Sequence, residues 1–184
     1  MERIASEGDR PVIAIVGGGA AGLVAAIAAA QTWRAIEREK ASDQQTSGQK
    51  PEPSPVPEVL ILEKDERVGR SILATGNGRC NFYNTCPGEG DYRNPKLVEE
   101  AFWAIELHRH SIPCMEKRGS AIENFFASLG LCWKEDEEGR CWPATNKAST
   151  VLDLLRTGCN ANGAQERCDC QVAVSYTHLT LPTT

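Results

Sequence analysis

The stretch Val12-Ile13-Ala14-Ile15-Val16-Gly17-Gly18-Gly19-Ala20-Ala21-Gly22-Leu23-Val24-Ala25-Ala26 decides how this chain is read. Apolar, largely β-branched residues run up to Gly17, and an alanine-rich run of good helix formers opens at Ala20. The order is therefore a buried strand, a glycine turn and a helix. Within it, Gly17-x-Gly19-x-x-Gly22 has the spacing that cradles a dinucleotide. Gly17 allows the tight turn, Gly19 lets a pyrophosphate approach bare backbone, and Gly22 lets helix and strand pack closely. The opening of the helix, at Ala20 and Ala21, supplies free N–H donors and the positive end of the helix dipole to that anion. The fold class that follows is α/β: a Rossmann-like FAD/NAD(P)-binding domain built on a parallel sheet.

The same reading asks for an acid at the end of the next strand. Val59-Leu60-Ile61-Leu62 is a short continuous apolar run, as expected of a parallel strand covered on both faces, and Glu63 follows it, with Lys64 next. Glu63 would accept hydrogen bonds from the adenosine ribose. The interval from Gly22 is about twice the roughly 20 residues usual for this acid. The excess falls in residues 44–58, where a polar run is followed by prolines at 51, 53, 55 and 57, a loop that lengthens the path without breaking strand or helix. A carboxylate at Glu63 also repels a 2′-phosphate, so the site favours FAD or NAD over NADP.

Composition excludes several classes. The chain has 184 residues, 41% hydrophobic and 24% charged, which is a soluble globular balance, and it carries a net charge of -5 with no basic block. Nucleic acid is not an expected partner. Residues 1–11 are neither a secretory nor a transit signal. Residues 12–30 carry no charge, but the three glycines at 17–19 cut them into strand and helix lengths, so no membrane span is expected. The eight cysteines form no C-x-x-C pair and have no histidine at metal-ligand distance, so reduced thiols and a cytoplasmic location are expected, with no metal. His108 and His110 sit two apart in a predicted helix and face different directions.

Beyond Glu63 the chain reads Lys64-Asp65-Glu66-Arg67-Val68-Gly69-Arg70-Ser71, then Ile72-Leu73-Ala74-Thr75-Gly76-Asn77-Gly78-Arg79-Cys80-Asn81. A glycine-bearing loop just past the carboxyl end of a strand is where open α/β sheets bind ligands. Gly76 and Gly78 permit backbone turns that aim N–H groups at an anion, Arg70 and Arg79 can balance phosphate charge, and Asn77 and Asn81 offer donors and acceptors. Cys80 is the one thiol placed to be tempting as a redox group, but it has no resolving cysteine at oxidoreductase spacing.

At these residues the sequence resembles a known family. Gly17-x-Gly19-x-x-Gly22, Leu62-Glu63-Lys64, Gly69-Arg70 and Thr75-Gly76-Asn77-Gly78-Arg79-Cys80-Asn81 together look like the FAD-binding flavoproteins of the aminoacetone oxidase family, which also includes a 3-dehydro-bile-acid reductase. A second block is similar in order and spacing: Phe125-Phe126-x-x-Leu129-Gly130, Lys134-Glu135, then Gly139-Arg140-x-x-Pro143-x-x-x-Lys147-Ala148-Ser149-x-Val151-Leu152. The likeness covers residues 12 to about 171. It departs at Ser71, where the family has lysine, at Phe82-Tyr83 for Leu-Thr, and at Cys141-Trp142 for Val-Phe. The resemblance implies FAD as cofactor, with Gly69, Arg70, Gly76, Asn77, Gly78, Arg79, Cys80 and Asn81 along it. It also implies a discontinuous FAD domain, interrupted by an inserted domain and completed by later strands.

Local signals place the remaining elements. Ser120-Ala121-Ile122-Glu123 is a capping box, and Ile122, Phe125, Phe126 and Leu129 share one helical face that Gly130 closes. Residues 96–107 form an amphipathic helix, and Thr145 or Asn146 caps another that carries Val151, Leu152, Leu154 and Leu155 and stops at Gly158 or Gly163. Glu135 to Gly139 reads as an acidic, solvated turn between two short extended pieces. Residues 174–184 break the pattern and look like a translated DNA-library adapter, so 1–173 is taken as the N-terminal part of an FAD domain and 174–184 as a non-native tail. Function follows as an FAD-dependent oxidoreductase fragment acting on a small organic substrate, with NAD(P)H or oxygen as redox partner and no nameable catalytic acid or base. The alternatives are an NAD-binding dehydrogenase and a truncated nucleotide-binding module without catalysis.

Overall fold

The computed structural model describes residues 11–46, 56–86, 89–109 and 120–173. The chain divides into two compact units, one formed by Met1–Arg70 with Arg156–Thr184 and the other by Ser71–Leu155. Residues 47–55, His110 and the tail 174–184 lie outside the described residues, as does the side chain of His108.

In the first unit, β1 (Val12–Val16) leads through the glycine turn into α1 (Ala20–Thr46), and the chain returns in β2 (Glu58–Leu62). The two strands run parallel, Val12 opposite Glu58 and Val16 opposite Leu62, a pairing that demands a crossover, which α1 supplies. A third strand, β6 (Gln165–Arg167), pairs parallel with the other side of β2, so the order is β1-β2-β6. The fold is the Rossmann-like α/β arrangement that the sequence predicts.

Position in that order explains the burial. The central strand, β2, is covered, with Val59, Leu60 and Ile61 at most 3% exposed. The prediction of a buried first strand is corrected: Val12 is 41% and Val16 65% exposed, because β1 pairs only with β2 among the described residues and lies at the sheet edge. Helix α1 buries Leu23, Ala26, Ile27 and Ala30, one stripe at helical spacing. It runs on through Gln44, Gln45 and Thr46, so the polar stretch read as loop begins as helix.

The second unit is built on a small antiparallel sheet of order β3-β5-β4, from β3 (Tyr83–Asn84), β4 (Trp133–Glu135) and β5 (Arg140–Pro143). Phe82 packs edge-on against Phe126 and Trp133 with ring centroids 4.7 and 5.8 Å apart. Between β2 and β3 lie the short α2 (Arg70–Ala74) and a tight turn over Thr75–Gly78, and α3 (Pro95–Arg109) follows β3. Helix α4 (Ala121–Ser128) has the predicted capping box: the Ser120 hydroxyl accepts from the Glu123 amide, and the Glu123 carboxylate from the Ser120 amide. Gly130 follows with φ +84°, a left-handed stop. Helix α5 (Ala148–Ala161) leads from this unit back into the first, and Gly163 (φ +76°) turns the chain towards β6.

One predicted feature of the hairpin between β4 and β5 is corrected. Its acids are not all solvated. The Asp136 carboxylate accepts the Trp142 indole N–H and the Arg140 Nε–H, both at 2.9 Å, and the amides of Glu138 and Arg140 at 3.1 and 3.0 Å. Those bonds, the indole first, hold its carboxyl well below the usual range. A turn rich in Asp and Glu reads as solvated because sequence does not show which donors face it.

Candidate nucleotide-binding site

The glycine turn is shaped by three separate constraints. Gly17 adopts φ +99°, a conformation that only glycine takes readily, and its amide continues the ladder by donating to the Leu62 carbonyl at 2.8 Å. Gly22 faces the turn so closely that a Cβ there would collide with the Gly17 carbonyl oxygen. Gly18 is buried, and a Cβ on it would lie 2.5 Å from Val68 Cγ1 and 3.1 Å from Glu63 Oε2. Gly17 and Gly22 thus do what the fingerprint spacing predicts. Gly18 is a site residue that the sequence reading missed, and the only signal for it was the unbroken Gly17-Gly18-Gly19 run.

Gly18 is held by both of its backbone groups. Its N–H donates to Glu63 Oε2 at 2.6 Å, and its carbonyl accepts the Gly69 N–H at 2.8 Å. Gly69 itself turns at φ +75°, and Arg70 beside it pairs with Asp65 at 3.3 Å. Gly19 opens α1, accepting the Leu23 N–H at 3.0 Å, so the amides of Ala20, Ala21 and Gly22 lie in the first turn, where a helix offers them no acceptor of its own. Ala20 and Ala21 are exposed.

Glu63 therefore organises the turn through protein groups alone. Its Oε1 accepts the Asp65 N–H at 2.9 Å, and this bond, then the one from Gly18, keeps its pKa below the ordinary 4.5. The Lys64 amide adds a third, weaker bond, and an ionised carboxylate, with about four lone-pair sites, keeps acceptor capacity beyond these. Behind it the segment after β6 is pinned, the Cys170 N–H donating to the Glu63 carbonyl at 2.8 Å and the Asp169 N–H to the Asp65 carbonyl at 3.0 Å. Together these walls enclose a cleft of about 260 Å³ at the carboxyl ends of β1 and β2, lined by Val16, Gly17, Leu62, Glu63, Lys64 and residues 170–172. Sequence reasoning gave no signal for Cys170, Gln171 and Val172.

The other predicted site residues belong to the second unit, where Gly76 and Arg79 lie against the Trp142 indole. Gly76 and Asn77 both take left-handed backbone angles, φ +53°, and Gly78 has φ +79°. The turn is closed by Arg79 N–H to the Gly76 carbonyl at 3.1 Å and Cys80 N–H to the Thr75 carbonyl at 3.2 Å. Oriented with its nitrogen towards them, the Asn81 amide donates to the carbonyls of Tyr83 at 2.7 Å and Cys141 at 3.3 Å, which ties the loop to β3 and β5. Cys80 is buried, and that burial pushes its thiol pKa up despite a hydrogen bond from Thr75, the opposite of the shift that activates a thiol. Burial also lifts Cys141 and Cys159 to about 11. The seven cysteines among the described residues are all free.

The chain is similar to a reductase. It is 37% identical over 145 residues to the 3-dehydro-bile acid delta(4,6)-reductase of Clostridium scindens, covering 78% of this chain and 27% of that one. Two ribosomal RNA dihydrouridine synthases are also similar: that of Haemophilus influenzae at 26% over 109 residues, 58% of this chain and 24% of the other, and that of Escherichia coli at 28% over 103 residues, 55% and 22%. The chain spans about a quarter of the length of these curated relatives. Among solved structures, Thermovibrio ammonificans THI4 superposes with a TM-score of 0.44 and 15% identity over 86% of this chain and 38% of that one, too loosely to bear on function. No family model matches. No helix among the described residues is long and apolar enough to cross a membrane.

Proposed function

We propose that the chain is the nucleotide-binding part of an FAD-dependent oxidoreductase of the aminoacetone oxidase type. The observation that carries this reading is the Gly18 amide bound to Glu63 beneath the glycine turn. That bond sets an ionised acid next to an anion cradle at the carboxyl edge of a parallel sheet. The cradle fits a diphosphate, because at Gly18 and Gly22 added side-chain atoms would meet protein rather than ligand, which leaves bare backbone facing outward. The Glu63 carboxylate on the cleft wall suits the vicinal hydroxyls of a ribose as an acceptor, and its charge repels a 2′-phosphate. The likeness to a reductase supports redox chemistry.

In this reading the amides of Gly19 to Gly22 bind the diphosphate, Glu63 orients the adenosine ribose, and Lys64 at the cleft wall adds positive charge. The flavin, when bound, supplies the hydride-accepting and hydride-donating centre. The protein's part is to hold and orient it. The substrate is a small organic molecule, the redox partner NAD(P)H or oxygen, and the compartment the reducing cytoplasm, in keeping with seven free thiols. The 184-residue chain alone is inactive, since substrate contacts fall to parts of the protein outside it.

Absorbance of the purified product of the whole gene, followed by extraction and chromatography of its ligand, tests the reading. Flavin bands with stoichiometric FAD are expected, and Gly19→Leu with Glu63→Gln should strip them. Release of NAD without flavin would replace it with a nicotinamide-dependent dehydrogenase.

A further inference from the structure

Trp142 lies 8% exposed at the centre of the second unit, and its contacts converge on a single side chain. The indole N–H is fixed by Asp136 at 2.9 Å, and Asp136 is fixed in turn by the amides of Glu138 and Arg140 and by the Arg140 side chain. The ring edge presses on the Thr75–Cys80 turn so closely that a Cβ at Gly76 would lie 2.7 Å from Cζ3. The Arg79 guanidinium sits 4.3 Å from the ring centroid, and its Nε–H reaches the Gly76 carbonyl at 3.4 Å. Arg79 is exposed, and no carboxylate among the described residues pairs with it. Its guanidinium is thus held against the indole at an exposed position.

We propose that Trp142, locked by Asp136, is a positioning residue that presents the Arg79 guanidinium as a preformed fork for a phosphoryl group. A freely rotating arginine loses side-chain entropy when it binds an anion, and one stacked on a buried indole has already lost it. Stacking also leaves the guanidinium plane free to make two parallel N–H···O bonds, the geometry that phosphate oxygens match. The inference deepens the FAD reading in that the ligand it supposes carries phosphate.

Calorimetric titration of the ligand-stripped product of the whole gene with inorganic pyrophosphate, and separately with FAD, tests it. Arg79→Ala should weaken pyrophosphate binding about tenfold, leaving the affinity that the amides of Gly19 to Gly22 supply. Trp142→Leu should weaken it roughly two- to tenfold, the scale of a cation–π contact. Trp142→Phe, which keeps a ring under the guanidinium but loses the bond to Asp136, should restore it in part. In an Arg79→Ala background Trp142→Leu should have no further effect, a non-additivity that a merely structural tryptophan would not show. Arg79→Lys, at an exposed position that does not depend on Trp142→Leu folding, keeps the charge and loses the planar fork, and should fall with Trp142→Leu. Equal losses from Trp142→Leu in both backgrounds, or wild-type affinity in Arg79→Lys, would overturn the proposal. If FAD binds while pyrophosphate affinity ignores Arg79, this inference fails and the FAD reading stands. If pyrophosphate binding needs Arg79 and Trp142 while no flavin is held, the inference stands and the FAD reading fails.

Discussion

At Gly18 a single methyl group would have to share space with Val68 Cγ1 and Glu63 Oε2; Val68 is fixed by burial, and the Glu63 carboxylate by the Gly18 amide on Oε2 and the Asp65 amide on Oε1. Gly18→Ala should therefore cost about 1–3 kcal/mol in a urea titration, the usual range for overpacking a tight site. Glu63 gives a pH signature. Its folded pKa is depressed, so its contribution is fully present above the unfolded value and is lost as pH falls through the folded one. The stability advantage of wild type over Glu63→Gln should accordingly shrink on acidification below about 4.5, and an advantage that stays constant into that range would show that the carboxylate does not hold the turn. The fingerprint made Gly17, Gly22 and Glu63 legible because their spacing encodes a local geometry. It could not expose Gly18, whose restriction comes from Val68, a residue 50 positions away in the chain.

Among the elements, α4 was readable to its ends, since a capping box and a glycine stop are both written within a few residues of the helix they bound. Replacing Ser120 with alanine should destabilise the second unit by about 1 kcal/mol, and faster amide exchange in the first turn of α4 would report it. The hairpin between β4 and β5 was legible as two extended pieces and a turn. Its chemistry was not, because the Asp136 network joins a turn carboxylate to an indole six residues on, a contact that depends on strand register. Strand β1 shows the opposite limit. Its apolar run predicts a strand correctly, but burial depends on how many neighbours the strand has, and composition carries no count of them.

For the whole molecule, the sheet edge at β1 is the feature with a physical consequence in solution. An apolar strand that pairs on one side only among the described residues, with Val12 and Val16 exposed, is a template for another chain. The 184-residue chain should associate with rising concentration in light scattering, and Val12→Lys should suppress this without moving the cleft, which Val12 does not line. The division into two units was hidden from sequence because the motifs of both read as one continuous cofactor path. A different consequence follows from the acid beneath the glycine turn. Since Glu63 fastens that turn through Gly18 with protein groups alone, the nucleotide proposed above has no disordered loop to freeze, and stopped-flow mixing should show one concentration-proportional phase rather than a slow isomerisation trailing the encounter.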